Sequence, residues 1–269
     1  VSPARPLRQV PPADWARLIG VMTDIDDTLT HTGAIEPAAL EALQALHAAG
    51  VPVVAVTGRP MGWSRPFAMN WPVAAIVAEN GAVALMREGE DAQATLRIEY
   101  AQDEATRALN NTRLHAVAQR ILQEVRGATL AQDSPGRVTD IAIDHSEFAH
   151  LDEAAIAQAV QIMRSEGMNA TVSSIHINGW YGDHTKWSAA RWMLHRLFGR
   201  DLEAEVDRWV YVGDSTNDQA MFERFPFSVG VANLMRFAAA LQTWPAWISE
   251  GERGEGFAQV AAALLAHRR

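Results

Sequence analysis

The chain has 269 residues, 48% of them apolar and 20% charged, with a formal net charge of −9. That is chain enough for one large domain or two small ones with a proper core, and it excludes disordered and fibrous classes. The absence of cysteine excludes disulfides, thiolate zinc sites and thiol nucleophiles, and no apolar run reaches the ~18–20 residues of a membrane span.

The first twenty residues, VSPARPLRQVPPADWARLIG, lack the apolar centre of a secretory signal, so a cytoplasmic location is expected, and the Pro-rich start reads as a loose arm. Residues 18–25, LIGVMTDI, form an apolar run rich in branched residues that ends in acids, the pattern of a buried parallel strand. Glu36-Pro37 opens a helix with Pro in the first turn, Leu40, Leu43, Leu46 and His47 as its inner face, and Gly50 at its end. A second strand at 51–57, a short helix before Asn70 and a third strand at 73–78 follow. This alternation predicts a doubly wound parallel sheet.

From about residue 82 to 182 the pattern changes. A helix over 103–126, strands near 128–133 and 138–145, a helix over 152–166 and strands within 169–181 give a helix–strand–strand unit twice over. That is an α+β layer rather than more parallel sheet. The first pattern resumes with a helix at 185–199, a strand at 208–214, a helix at 217–224, a strand at 227–232 and a last helix at 255–267. The expected organisation is a core of 1–82 and 183–269, interrupted by an insertion of 83–182.

In open α/β sheets ligands bind beyond the carboxyl ends of the strands, where the strand order reverses. The first strand ends in Asp24-Ile25-Asp26-Asp27-Thr28, the second in Thr57-Gly58-Arg59, and the 208–214 strand in Gly213-Asp214-Ser215-Thr216-Asn217-Asp218. Carboxylates converging in one crevice repel unless a cation neutralises them, and an all-oxygen donor set suits a hard ion such as magnesium. Of 23 basic residues only one, Lys186, is lysine. Coding preference accounts for such a bias as well as chemistry does.

Each turn alone has a plainer reading: a strand end with a helix cap for DIDDT, an Asx-turn for GDSTND, a solvent-facing turn for TGR, and a surface ion pair for Arg59. His31 and His47 read as loop and helix-face residues, and the nine Trp as packing.

Taken together and in order, DIDDT, TGR, the lone Lys and GDSTND resemble the four motifs of the haloacid dehalogenase-like phosphohydrolases. The insertion between TGR and Lys186, with ENGA at 79–82, is similar to the type IIB branch of Cof-like phosphatases, sucrose-phosphate phosphatases, mannosyl-3-phosphoglycerate phosphatase and phosphomannomutases. The resemblance implies a Rossmann-like doubly wound core with an inserted α+β cap domain, and a Mg2+-dependent phosphatase acting on a small phosphorylated metabolite, most simply a sugar phosphate. It makes Asp24 the nucleophile, Asp26 the general acid and then base with its carbonyl on the metal, and Lys186 the cation facing Asp24 and the phosphate. Asp214 would complete the metal ligands, Asp218 would orient them, and Thr57 with Gly58, Arg59 and Asn217 would meet the phosphoryl group. Trp187 stands where the branch commonly has Gly.

In the insertion, Ser174, His176 and Asn178 alternate and so share one strand face. If that face looks into the cleft, His176 and Asn178 hydrogen-bond sugar hydroxyls and Trp180 or Tyr181 stacks on a ring; otherwise it is a polar face with aromatics filling the joint. A phosphomutase on the same fold and a catalytically retired binding protein remain as alternatives. Oligomeric state, the metabolite and the choice of water or substrate as final phosphoryl acceptor are open.

Overall fold

In a computed structural model that describes residues 4–89 and 93–268, the core is a nine-stranded, mostly parallel sheet. Its order is Arg5–Pro6, Trp247–Ile248, Phe227–Gly230, Trp209–Gly213, Gly20–Thr23, Val53–Val56, Ala75–Ala78, Val83–Glu88 and Thr95–Tyr100. The first seven run parallel, and Val83–Glu88 pairs antiparallel with both Ala75–Ala78 and Thr95–Tyr100. From Gly20–Thr23 the chain moves outward through Val53–Val56 and Ala75–Ala78, then returns to lay Trp209–Gly213 on the other side. The order therefore reverses beside Gly20–Thr23, which puts the 24–28 and 214–218 turns side by side at the crevice.

Alternation along the strands serves two cores. Val21, Val53, Ala55, Val210 and Val212 face helices Pro37–Ala48 and Arg253–Ala266, while Met22, Val54, Val56 and Tyr211 face helix Lys186–Phe198. In Pro37–Ala48 the inner face is Ala39, Ala42, Leu43 and Leu46. Leu40 is half-buried and His47 is exposed, because the stripe is rotated from the one expected.

Two strands that were not read from the sequence, in residues expected to belong to the insertion, extend the core instead. Val83–Glu88 and Thr95–Tyr100 form an antiparallel hairpin on the sheet's edge, so the core runs through residue 100. The Pro-rich start is also part of the core: Arg5–Pro6 pairs with Trp247–Ile248, Arg5 lies 3.8 Å from the Trp247 ring centroid, and Leu7, Val10 and Trp15 are buried. The short hairpin of Thr30–His31 with Ala34–Ile35 was not expected.

The remaining inserted residues build a separate layer. Helices Glu104–Glu124 and Glu153–Ser165 pack on a four-stranded antiparallel sheet ordered Asn169–Val172, His176–Trp180, Asp140–Asp144 and Thr129–Leu130. Asp103 and Asp152 cap the two helices by accepting from the Thr106 and Ala155 amides. The strand expected near 128–133 is only two residues long, because a turn through Ser134–Gly136 breaks it.

Candidate active site

Asp24 leaves the end of its strand with its amide on the Val212 carbonyl (2.9 Å). The chain then wraps tightly: the amides of Thr28, Leu29 and Thr30 all donate to the Ile25 carbonyl, and Asp27 adopts a left-handed φ of 53°. A short polar residue tolerates that conformation better than a branched one.

Lys186 is the first residue of helix Lys186–Phe198, whose N-cap Thr185 forms a reciprocal capping box with Ser188. This fixes the lysine stem at the point where the insertion returns to the core. Its Nζ lies 2.7 Å from Asp24 Oδ1, 2.7 Å from Asp218 Oδ1 and 3.3 Å from Asn217 Oδ1, and the side chain is 5% exposed. Burial opposes the ammonium charge, but Asp218 and Asp24 outweigh it and hold the lysine protonated.

Asp218 is fully engaged. Oδ1 also accepts from the Tyr211 hydroxyl (2.5 Å), and Oδ2 accepts from the amides of Asp214 (2.9 Å) and Ser215 (3.1 Å). It is thus the reciprocal member of the Ser215 capping box while also holding the lysine and shaping the 214–215 backbone.

Asp214 is the unsatisfied member. One oxygen accepts from Asn233 Nδ2 at 3.3 Å, whereas Oδ1 is buried with no partner among the described residues. Burial first, then Asp24 and Asp218, push its carboxyl far above the usual range. Burial likewise pushes Asp24 up to about 8, with Asp218 and Asp26 adding to the effect and Lys186 opposing it. Carboxylate oxygens of Asp24, Asp214 and Asp218 lie within 4.8 Å of one another. A buried carboxylate oxygen without a donor costs about 1–3 kcal/mol or more, so this arrangement suits a cation. Hard oxygen donors fit magnesium.

Asp26 points elsewhere. Oδ1 accepts from Arg59 Nε (2.9 Å), and Oδ2 receives a longer contact from Thr57 Oγ1 (3.4 Å). Its side chain is outside the acidic cluster, so only its backbone carbonyl is left as a candidate metal ligand. Thr57 Oγ1 also accepts from the Arg59 amide (3.0 Å), and the Gly58 carbonyl takes Arg137 Nη1 (3.0 Å) and Asn178 Nδ2 (3.3 Å) from the inserted layer.

The expected sugar-binding face is occupied by protein. His176 Nε2 is 2.8 Å from Glu147 Oε2 within the inserted layer, and Asn178 donates to Asp140 and, across the joint between layers, to the Gly58 carbonyl. Trp180 and Tyr181 are buried and do not offer a stacking platform: Trp180 lies against His184, and Tyr181 lies under the Arg113 guanidinium at 3.7 Å. Trp187 packs edge-on to Phe225 and leaves Lys186 its place.

Sequence reasoning missed Asn233, Asp133, Arg137 and Glu147. Asn233 ties Asp214 to the Asp27 carbonyl (2.9 Å) and accepts from the Arg253 amide (2.8 Å). It follows the Phe227–Gly230 strand, so reading that strand's end as the others were read would have found it. The other three lie in loops of the insertion with no motif around them.

A cavity of about 340 Å³ opens beside Asp26 between the 30–33 turn and the inserted layer, and Arg59, Glu147, Phe148 and Arg253 are among its lining residues. Phe148 is 64% exposed.

Residues 21–124 match the model of a family described as haloacid dehalogenase-like hydrolase. No curated protein matches the chain in sequence. Among solved structures, a Thermoplasma acidophilum protein superposes with a TM-score of 0.67 at 16% identity, over 92% of this chain and 99% of its own. The sucrose-phosphatase of Synechocystis sp. PCC6803, solved with sucrose and phosphate, gives 0.64 at 15% identity, over 92% and 98%. A haloacid dehalogenase subclass IIB sugar phosphatase gives 0.56 at 17% identity, over 90% and 97%. At such identities the structures speak for the fold. The chain thus shares the fold of these structures, and its residues 21–124 are similar to the haloacid dehalogenase-like hydrolases.

Proposed function

We propose that this protein is a haloacid dehalogenase-like hydrolase, a magnesium-dependent phosphatase that cleaves a small phosphorylated metabolite, a sugar monophosphate, through a phosphorylated Asp24. The observation that carries the reading is the buried contact of Asp24 with the chain's only lysine at 2.7 Å, beside the partnerless Asp214 oxygen. Two of the structural relatives are named as sugar phosphatases, which supports the substrate class.

In this reading an Asp24 carboxylate oxygen attacks phosphorus, the bond from phosphorus to the leaving oxygen breaks, and Asp26 gives that oxygen a proton. Water then attacks the phosphorus of the aspartyl-phosphate while Asp26 takes a proton from it, and the bond to Asp24 breaks to release inorganic phosphate. Lys186 and Asn217 meet the phosphoryl oxygens, and Lys186 offsets the charge of Asp24 so that an anionic substrate can approach. Asp24, Asp214 and the Asp26 carbonyl would hold the magnesium ion, which when bound supplies Lewis-acid stabilisation of the phosphoryl group. The 340 Å³ cavity lies at the lower end of the ~300–1,000 Å³ of small-molecule sites and is the place for the leaving group. Residues 104–180 act as the cap over it, and a phosphorylated metabolite places the work in the cytoplasm.

Two measurements test this. Phosphate release across a panel of hexose, pentose and triose phosphates should require magnesium; no release from any ester would overturn the reading. Thermal unfolding gives a test free of turnover: magnesium at 100 times its Kd should stabilise the protein by about 2.7 kcal/mol. Asp214→Asn should lose that gain, and an equal gain in the variant would put the metal elsewhere.

A further inference from the structure

Arg59 stands between the catalytic turn and the inserted layer with its guanidinium fully engaged. Nε donates to Asp26 Oδ1 (2.9 Å), Nη1 to Asp133 Oδ2 (3.1 Å) and Nη2 to Glu147 Oε1 (2.8 Å). Its side chain is 5% exposed, and the guanidinium carbon lies 5.0 Å from the Trp63 ring centroid. An arginine that gripped phosphate would aim two donors into the open cavity. Here all three nitrogens already face carboxylates.

The two outer carboxylates come from separate segments of the insertion, and each is held from behind. Arg137 reaches Asp133 Oδ1 through Nη2 (3.1 Å) and Nε (3.3 Å), and His176 holds Glu147 at 2.8 Å. Burial works against the Glu147 charge, but hydrogen bonds from His176 and Arg59 keep its carboxyl at about 2. The backbone on either side of Arg59 is fixed as well, with the Gly58 carbonyl taking two donors from the inserted layer.

The docking that brings these segments to Arg59 is itself built in. The buried Glu79 carboxylate accepts from the Met61 amide of the core and from the Val138 and Thr139 amides of the insertion. Backbones touch at Gly62 and Gly136, where a Cβ on Gly62 would lie 2.9 Å from the Gly136 Cα.

We infer that Arg59 is a positioning residue: through it, the docked insertion aims the Asp26 carboxyl at the leaving-group oxygen. A planar guanidinium whose Nη atoms are anchored on Asp133 and Glu147 presents its Nε–H to Asp26 in one fixed direction, as a freely rotating ammonium cannot. With Arg59 released, the remaining side-chain hydrogen bond on Asp26 among the described residues is the long one from Thr57. The inference rests on the phosphatase reading above.

The test uses two esters of similar shape and unequal need for a proton, phenyl phosphate and 4-nitrophenyl phosphate, with magnesium present. The nitrophenolate leaves readily without protonation, whereas phenolate depends more on a general acid, and kcat/KM reports the step in which it leaves. Arg59→Gln and, from the insertion side, Asp133→Asn should each lower kcat/KM for phenyl phosphate at least about tenfold more than for 4-nitrophenyl phosphate. Arg59→Lys should fall between wild type and Arg59→Gln. Equal losses on both esters in Arg59→Gln would make Arg59 a phosphate-binding residue and overturn the inference. A selective loss in Arg59→Gln with none in folded Asp133→Asn would overturn the link to the insertion. If wild type cleaves neither ester and none of the sugar phosphates, the phosphatase reading falls, and the inference with it.

Discussion

Asp24→Asn is expected to give a folded protein whose kcat/KM for any phosphate ester is lower by at least about 10³-fold. The substitution keeps the shape of the side chain and leaves Lys186 its second carboxylate, Asp218, at 2.7 Å. It also removes a charge from a place where Asp24, Asp214 and Asp218 crowd within 4.8 Å. The metal-free variant should therefore melt no lower than metal-free wild type, and far-ultraviolet circular dichroism should be unchanged. An amide oxygen is too poor a nucleophile to form the phosphorylated intermediate. Phosphate release at the wild-type rate by a folded Asp24→Asn protein would remove the nucleophile assignment.

Lys186→Arg is expected to lower kcat/KM by about 10²–10³-fold although the charge is kept. A compact ammonium sits within 3.3 Å of Asp24, Asp218 and Asn217 at once, in a site 5% exposed. The planar guanidinium is wider and must displace either Asp218 or the 217 side chain to fit. Since Asp218 also holds the Asp214 and Ser215 amides, displacement there would disturb the acidic cluster as well. Lys186→Met should be worse for folding, because it strands two buried carboxylates; breaking a buried pair in this way costs about 3–5 kcal/mol. Steady-state kinetics with thermal melts on both variants separates the two effects. Near-wild-type turnover in Lys186→Arg would mean that the scarcity of lysine reflects coding bias alone.

The strand ends were legible in sequence because parallel strands are short apolar runs, and a run that stops at acids marks the crevice side. Lys186 was legible because it is the only lysine in a chain otherwise given to arginine. The edge hairpin of Val83–Glu88 and Thr95–Tyr100 was not, because its second strand alternates in burial like a strand of any half-covered sheet. Nothing local says which sheet such a strand joins.

The Arg59 network was illegible for a different reason. Asp26 belongs to the first motif, but the other acidic partners, Asp133 and Glu147, lie 74 and 88 residues away in loops whose acids look like ordinary surface charge until the insertion is folded back. The aromatics of 180–181 show the converse. Their type suits a sugar platform, but position in the fold decides the matter, and both are covered by His184 and Arg113.

The central claim is that Asp24 carries the phosphoryl group, and trapping it is the most direct measurement. The protein is mixed with 4-nitrophenyl phosphate and magnesium, quenched in acid and reduced with borohydride, which converts a phosphorylated aspartate to homoserine. Peptide mass spectrometry should then find homoserine at position 24, dependent on substrate, and more of it in Asp26→Asn, where hydrolysis of the intermediate is slowed. Phosphate release with no homoserine at position 24, or with homoserine at another aspartate, would contradict the account.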